Sequence, residues 1–297
     1  MNNYDDILNN APAQEQNGNQ QLSKEEYAAM KKAERDDLFE LSSDTANNVT
    51  ADGGKFQQYM DMQSHFDRYS AVNTLLIMAQ KPEATRLGDF DHWKNKNASM
   101  KPKQKGISIL EPHEYTKDDG SPGVGYNVKK VFDISQYNTQ KMKPEPVPPT
   151  FTDRQILSAL VHKASMQIVS ADKTPSGRGA ETNPETGTIT VQKGMEFTDT
   201  FGSLAKELAV AKVNDNEVTK IDKDFSAYCV SYMLCKKHGA DVENFSFDDV
   251  GKVFEGLEAQ EVKGELQMIR ETFADINSRM SRQLEVMQKT ARNNEAR

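Results

Sequence analysis

Cysteine is nearly missing from this sequence: Cys229 and Cys235 are the only two among 297 residues. They fall six apart in one helical stretch, which sets their Cα atoms about 9 Å apart at 1.5 Å rise per residue. That exceeds the roughly 7 Å that a disulfide tolerates. Two thiols are also too few for a metal site, so both read as small hydrophobes of a reduced, cytoplasmic protein. No apolar run approaches the ~18–20 residues of a membrane-spanning helix. The opening residues Met1 to Asp6 hold neither a basic segment nor an apolar core, so no signal peptide is expected. A basic excess is lacking too. With 37 Lys and Arg against 45 Asp and Glu, the net charge is −8. A uniformly basic nucleic-acid protein is thereby excluded, and any phosphate recognition must come from a local patch. Neither G-x-S-x-G nor a P-loop is present, so the serine-hydrolase and nucleotide-phosphate frames are absent.

What is present suggests one large or two medium domains with polar ends. Residues 1–22 are rich in Asn and Gln without periodicity and read as a disordered leader. Ser23-Lys-Glu-Glu-Tyr27 opens like a capping box and starts a charged helix to about Leu41. After Gly53-Gly54, one long helix is expected from Lys55 to Ala79, ended by Lys81-Pro82. Gly106–Leu110 and Val124–Ile134 are β-prone and flank the turn signals Asp118-Asp119-Gly120 and Ser121-Pro122-Gly123, which predicts a small antiparallel sheet. Lys141–Thr150 holds four prolines in ten residues and reads as an extended linker. Beyond it come a helix from Thr152 to about Met166, strands at Gln167–Ala171 and Thr186–Gln192, and a helix over Thr198–Val213. A further helix spans Asp224–His238, stopped by Gly239, and a last one begins near Glu261. The tail after Gln288 is polar. The expected class is α+β, with a small domain at 23–140, the linker at 141–150, a helix-rich domain at 151–288 and a tail at 289–297.

Two stretches carry chemistry. Five lysines and no acid lie between Trp93 and Leu110: Lys94, Lys96, Lys101, Lys103 and Lys105. Phe66, Tyr69, Phe90 and Trp93 are interleaved with Arg68, Lys81 and Arg86 nearby. Cations beside aromatics suit single-stranded nucleic acid, because ammonium groups meet phosphates while rings stack unpaired bases at about 1–3 kcal/mol each. Tyr69, Trp93 and Phe66 are the expected stacking platforms, with Arg68, Lys94, Lys101, Lys103 and Lys105 as phosphate partners. Asn73 and Gln80, seven apart on one helical face, are the expected polar contacts. The second stretch is Lys206-Glu207-Leu208-Ala209-Val210. It has the frame of H-E-x-x-H, in which two histidines on one helical face chelate zinc and the glutamate activates its water. Here an ammonium and an isopropyl group stand where the histidines would be.

The string Tyr69-Ser70-Ala71-Val72-Asn73-Thr74-Leu75-Leu76-Ile77 continues through Gln80-Lys81-Pro82-Glu83-Ala84-Thr85. Trp93, Lys105-Gly106-Ile107-Ser108-Ile109-Leu110-Glu111-Pro112 and Val131-Phe132-Asp133-Ile134-Ser135-Gln136 follow. In that order the chain, over about residues 25–285, resembles ArdC-type antirestriction proteins and the LtrC-like proteins of conjugative elements. The resemblance implies an N-terminal domain that binds single-stranded DNA without sequence preference and a C-terminal zincin-like metalloprotease fold. It also implies a role on plasmids or integrative elements.

The sequence departs from that family where zinc would bind. The first ligand position falls on Lys206, the second on Val210 and the general base on Glu207. The third falls within Asp224–Tyr228, where Asp224 is the one acid. Of the five histidines, only His162 and His238 lie in the second half, with no partner at chelating spacing. The expectation is a pseudoenzyme with no catalytic residue, metal or cofactor, whose second domain serves packing or a protein partner. Two other readings stay open. One is an active hydrolase with a non-standard metal site around Glu207 and Asp224, which metal analysis would reveal. The other is an acidic antirestriction decoy, which would bind a restriction enzyme without DNA.

Overall fold

The structure is a computed structural model that describes residues 23–214 and 219–295; the expected leader lies outside them. Helix α1 (Lys24–Thr50) starts with the anticipated capping box, in which Ser23 and Glu26 each accept from the other's backbone N–H. It runs nine residues past the predicted end. The polar stretch there stays helical because Ala46 and Val49 are buried in the main core, while Ser42, Ser43, Thr45 and Thr50 donate their hydroxyls back to carbonyls three or four residues earlier. The long helix expected next is two: α2 (Gly53–His65) and α3 (Ala71–Gln80), with Ser70 capping the second by accepting from Asn73 N–H. Among the described residues no helix is long and apolar enough to cross a membrane.

Strand β1 (Leu87–Gly88), helix α4 (Phe90–Asn95) and strand β2 (Ser99–Met100) are short. Strands β3 (Ile107–Thr116) and β4 (Pro122–Asp133) form the predicted hairpin, in register from Ile107 opposite Val131 to Thr116 opposite Pro122. Gly120, at φ +81°, makes the turn. The inner half, Ile107–Leu110, is buried, while Glu111–Thr116 is exposed and extends beyond the core. The sheet order is β1-β4-β3, and β2 pairs with β5 (Tyr137–Asn138). Asp133 is fully buried and accepts from the backbone N–H groups of Thr85, Arg86 and Ser135. Burial raises its pKa, but those donors outweigh it and hold the carboxyl below its usual range.

Beyond the proline-rich stretch come α5 (Asp153–Val161), shorter than predicted, and strands β6 (Gln167–Ala171), β7 (Ala180–Asn183) and β8 (Thr188–Gln192). Their order is β6-β8-β7, with β6 parallel to β8 and β7 antiparallel. Helices α6 (Phe197–Asn214), α7 (Lys223–His238), the short α8 (Val250–Val253) and α9 (Ala259–Glu295) complete the chain. Gly239 ends α7 in the left-handed region, as its sequence position suggested. Helix α9 continues to Glu295, through most of the predicted tail, and spans about 55 Å at 1.5 Å per residue.

One apolar core crosses the proline-rich stretch: Val49, Phe56, Tyr59 and Leu75 share it with Phe201, Tyr232 and Phe273. The fully buried Phe56 ring sits 5.2 Å from Phe247 and 5.9 Å from both Phe225 and Phe254. Gly53 permits this approach, since a Cβ there would lie 2.7 Å from the Phe247 carbonyl oxygen. Polar bonds add to it. Tyr232 donates to Asp61 at 2.6 Å, and Arg270 donates to the Tyr69 and Asp67 carbonyls. Cys229 and Cys235 are buried free thiols whose burial pushes their pKa up, to about 12 for Cys235.

Candidate nucleic-acid interface and the Lys206–Val210 helix

Where α1, the start of α3, the β3–β4 hairpin and α9 meet, they leave an open groove of about 820 Å³. Arg68, Tyr69 and Asn73 line one side, Phe39 and Tyr126 the far wall, and Gln260, Lys263, Gln267 and Arg270 the α9 side. Four cations (Arg68, Lys129, Lys263, Arg270) face it against two carboxylates, Asp89 and Glu111. Both acids pair with Lys129, Glu111 at 2.8 Å and Asp89 at 3.7 Å. The hydrogen bond that Lys129 donates to Glu111 is the largest influence holding the Lys129 pKa up. The groove is therefore positive in a protein of net charge −8. Arg68 is exposed and enters none of the ion pairs found among the described residues. Tyr69 is half-buried, edge-on to Phe66 at 5.9 Å, and burial raises its phenol pKa.

Asn73 and Gln80 do not offer their amides to a ligand. Strand β3 is a sheet edge, and α3 covers it. The Asn73 carboxamide accepts from Leu110 N–H at 2.8 Å and donates to Leu110 C=O at 2.9 Å. Gln80 does the same with Ser108, at 2.9 Å both ways. Ser108 and Leu110 are two apart, so their free N–H and C=O groups share the edge that faces away from β4. Two side-chain amides thus stand in for a neighbouring strand and close an edge that would otherwise be open.

The single tryptophan is also structural. Trp93 is fully buried, 5.5 Å from the Tyr137 ring, and its indole N–H donates to Phe132 C=O at 2.9 Å. Arg86 and Lys96 lie over its ring and both pair with Glu145. Phe66 is only 7% exposed. Neither ring is a stacking platform, because both are buried. Lys94, Lys101, Lys103 and Lys105 are exposed as expected, but they do not line the groove; Lys101 donates to Ser135 C=O. Exposed rings that sequence reasoning passed over or left unassigned are Phe90, Tyr115 and Tyr126.

On α6, Lys206 forms an ion pair of 2.7 Å with Asp224. Glu207 is buried and accepts from Thr182 N–H at 2.8 Å, which ties the edge strand β7 to the helix. Val210 packs against the main core. An ammonium, a carboxylate committed to a strand and an isopropyl group do not fit a zinc ion. Among the described residues no three His, Cys, Asp or Glu side chains are grouped as a ligand set. His238 is held at the end of α7 by Asn277 and the Phe201 ring, and burial lowers its pKa to about 4.

Residues 43–145 match the sequence profile of the N-terminal domain of anti-restriction factor ArdC. This stretch therefore resembles an ArdC N-terminal domain. Two crystal structures of the antirestriction ArdC protein from the R388 plasmid align with the chain. The metal-free form is 15% identical over 76% of this chain and 86% of that one, with a TM-score of 0.40. The Mn(II)-bound form is 13% identical over 84% and 98%, with a TM-score of 0.44. No curated protein matches the chain by sequence. The matched stretch contains Arg68, Tyr69, Asn73 and the hairpin residues of the groove, together with the exposed lysine loop. It stops well short of α9, which supplies Gln260, Lys263, Gln267 and Arg270 to the lining.

Proposed function

We propose that this chain binds single-stranded DNA without sequence preference, in the antirestriction or transfer functions of a mobile element. The observation that carries this reading is the groove: a concave, net-positive surface in an acidic protein, lined by Arg68, which enters no ion pair among the described residues, and by the partly exposed Tyr69 and Tyr126 rings. A cation that meets phosphates beside rings that meet bases is the minimum a sequence-tolerant strand site requires. The lysine loop at Lys101–Lys105 supplies a second basic surface over which a longer strand continues.

The second half is proposed to be a zincin-like scaffold that performs no hydrolysis and serves packing or a protein partner. Its support is the fate of the three key positions: Lys206 neutralises Asp224, Glu207 holds β7 and Val210 packs against the core. The test of strand binding is fluorescence anisotropy of a labelled strand of ~20 nucleotides and of the matching duplex, each at several salt concentrations. Single-strand binding that weakens with salt and exceeds duplex binding is the expected result. Equal, salt-insensitive signals or none at low salt would overturn it.

A further inference from the structure

Lys263 lies on α9, in the half of the chain beyond the matched stretch, yet it lines the groove. It is 6% exposed. Lysine is rarely buried without a partner, because removing an ammonium from water costs several kcal/mol unless a counter-charge compensates. Here the ammonium donates to two neutral hydroxyls, Ser43 at 2.9 Å and Ser42 at 3.5 Å. Both serines pass their own protons to Phe39 C=O, so their oxygen lone pairs are free to accept. Among the described residues no carboxylate lies in ion-pair range of Lys263. Its pKa is lowered by burial, with no neighbouring charge acting the other way. An ammonium has three donors, and the two hydroxyls leave one unmatched along with the whole of the charge.

We infer that Lys263 is a phosphate anchor: its ammonium, held by Ser42 and Ser43 of α1 beside the groove that the side chain lines, binds a phosphodiester of the strand while Arg68 binds another. The inference rests on the strand-binding reading above and extends it. The ligand supplies the counter-charge that the fold leaves out, and the groove is complete only when α9 is docked. The matched stretch then holds part of the site, and the second half of the protein contributes to DNA binding independently of any metalloprotease chemistry.

The test is anisotropy with a labelled single strand, on the full-length wild type, Arg68→Glu and Lys263→Met, across a salt series, with melting temperatures measured in parallel. Lys263→Met removes a buried charge that has no acid partner, so the melting temperature is expected to equal or exceed that of the wild type. Binding is expected to weaken about tenfold, as for loss of one charge-assisted hydrogen bond. The slope of log affinity against log salt should fall by about 0.7, the share of one single-strand phosphate. Lys263→Gln, which still donates to Ser43, is the second neutral variant and carries the same expectation should the methionine variant fold poorly. If both neutral variants bind like wild type with an unchanged slope while Arg68→Glu binds weakly, the anchor is refuted and strand binding stands. If the wild type does not bind the strand, the strand-binding reading itself falls.

Discussion

Replacing Asn73 by alanine separates a structural amide from a ligand contact. The side chain is 8% exposed and makes both of its hydrogen bonds to Leu110, at 2.8 and 2.9 Å. Truncation removes two bonds worth about 1 kcal/mol net each, and it strands a buried N–H and C=O that cost about 1–3 kcal/mol apiece when unpaired. Partial access of water to the vacated site keeps the expected loss at about 2–4 kcal/mol. Gln80 makes the same pair of bonds to Ser108 from an exposed position, so water replaces its amide and Gln80→Ala should cost less than about 1 kcal/mol. Asn73→Asp sharpens the test. It keeps an acceptor for Leu110 N–H but sets a carboxylate against Leu110 C=O, so it is the least stable variant at neutral pH. It should regain stability as acid protonates that carboxyl and restores a donor. Urea unfolding followed by far-UV circular dichroism gives each midpoint and slope. Should Asn73→Ala unfold within about 0.5 kcal/mol of wild type yet lose DNA binding, Asn73 is a ligand contact and the strand-edge argument is wrong.

Three further outcomes follow from other parts of the molecule. Trp93, the lone tryptophan, should emit at the short wavelength of a buried indole, resist iodide quenching and stay unchanged when DNA is added, and Trp93→Ala should cost about 3–5 kcal/mol in the same unfolding assay. Glu207→Ala should destabilise the fold by about 1–3 kcal/mol by leaving Thr182 N–H unpaired, whereas Glu207→Gln, which can still accept, should cost less than half of that; measurable peptidase activity lost in both would instead revive a hydrolase. His238 has a folded pKa of about 4, below the ordinary value of 6.5, so the folded state binds fewer protons between those values. Stability should therefore fall as pH drops from about 6.5 toward 4, and His238→Gln should flatten that part of the profile.

Much of the fold was legible because its signals are local. The capping box at Ser23, the Asp119-Gly120 turn between β-prone runs and Gly239 after α7 each fix one backbone conformation, and each stands where it was read. The break between α2 and α3 was not, since Phe66 and Tyr69 continue the apolar rhythm across it and only the Ser70 cap marks the restart. The four-residue β7 carries no alternation and depends on β8 and on Glu207, partners distant in sequence. The site followed the same rule. Composition placed aromatics beside lysines, but it could not say that Trp93 turns its ring toward Tyr137 while the lysines point outward. Arg68 and Tyr69 were found because they adjoin in sequence. Lys263 was missed because nothing near it on α9 announces a groove made by four separate elements.

The central claim is that the groove, rather than the lysine loop alone, holds the strand. The most direct measurement compares single-strand affinity, by anisotropy at fixed salt, for wild type, Arg68→Glu and the pair Lys103→Glu/Lys105→Glu. The account predicts that Arg68→Glu weakens binding by about tenfold or more, because a rim cation becomes a like charge for phosphate, and that the loop pair weakens it less. Wild-type affinity in Arg68→Glu, with binding abolished by the loop pair, would contradict it and move the interface to Lys101–Lys105.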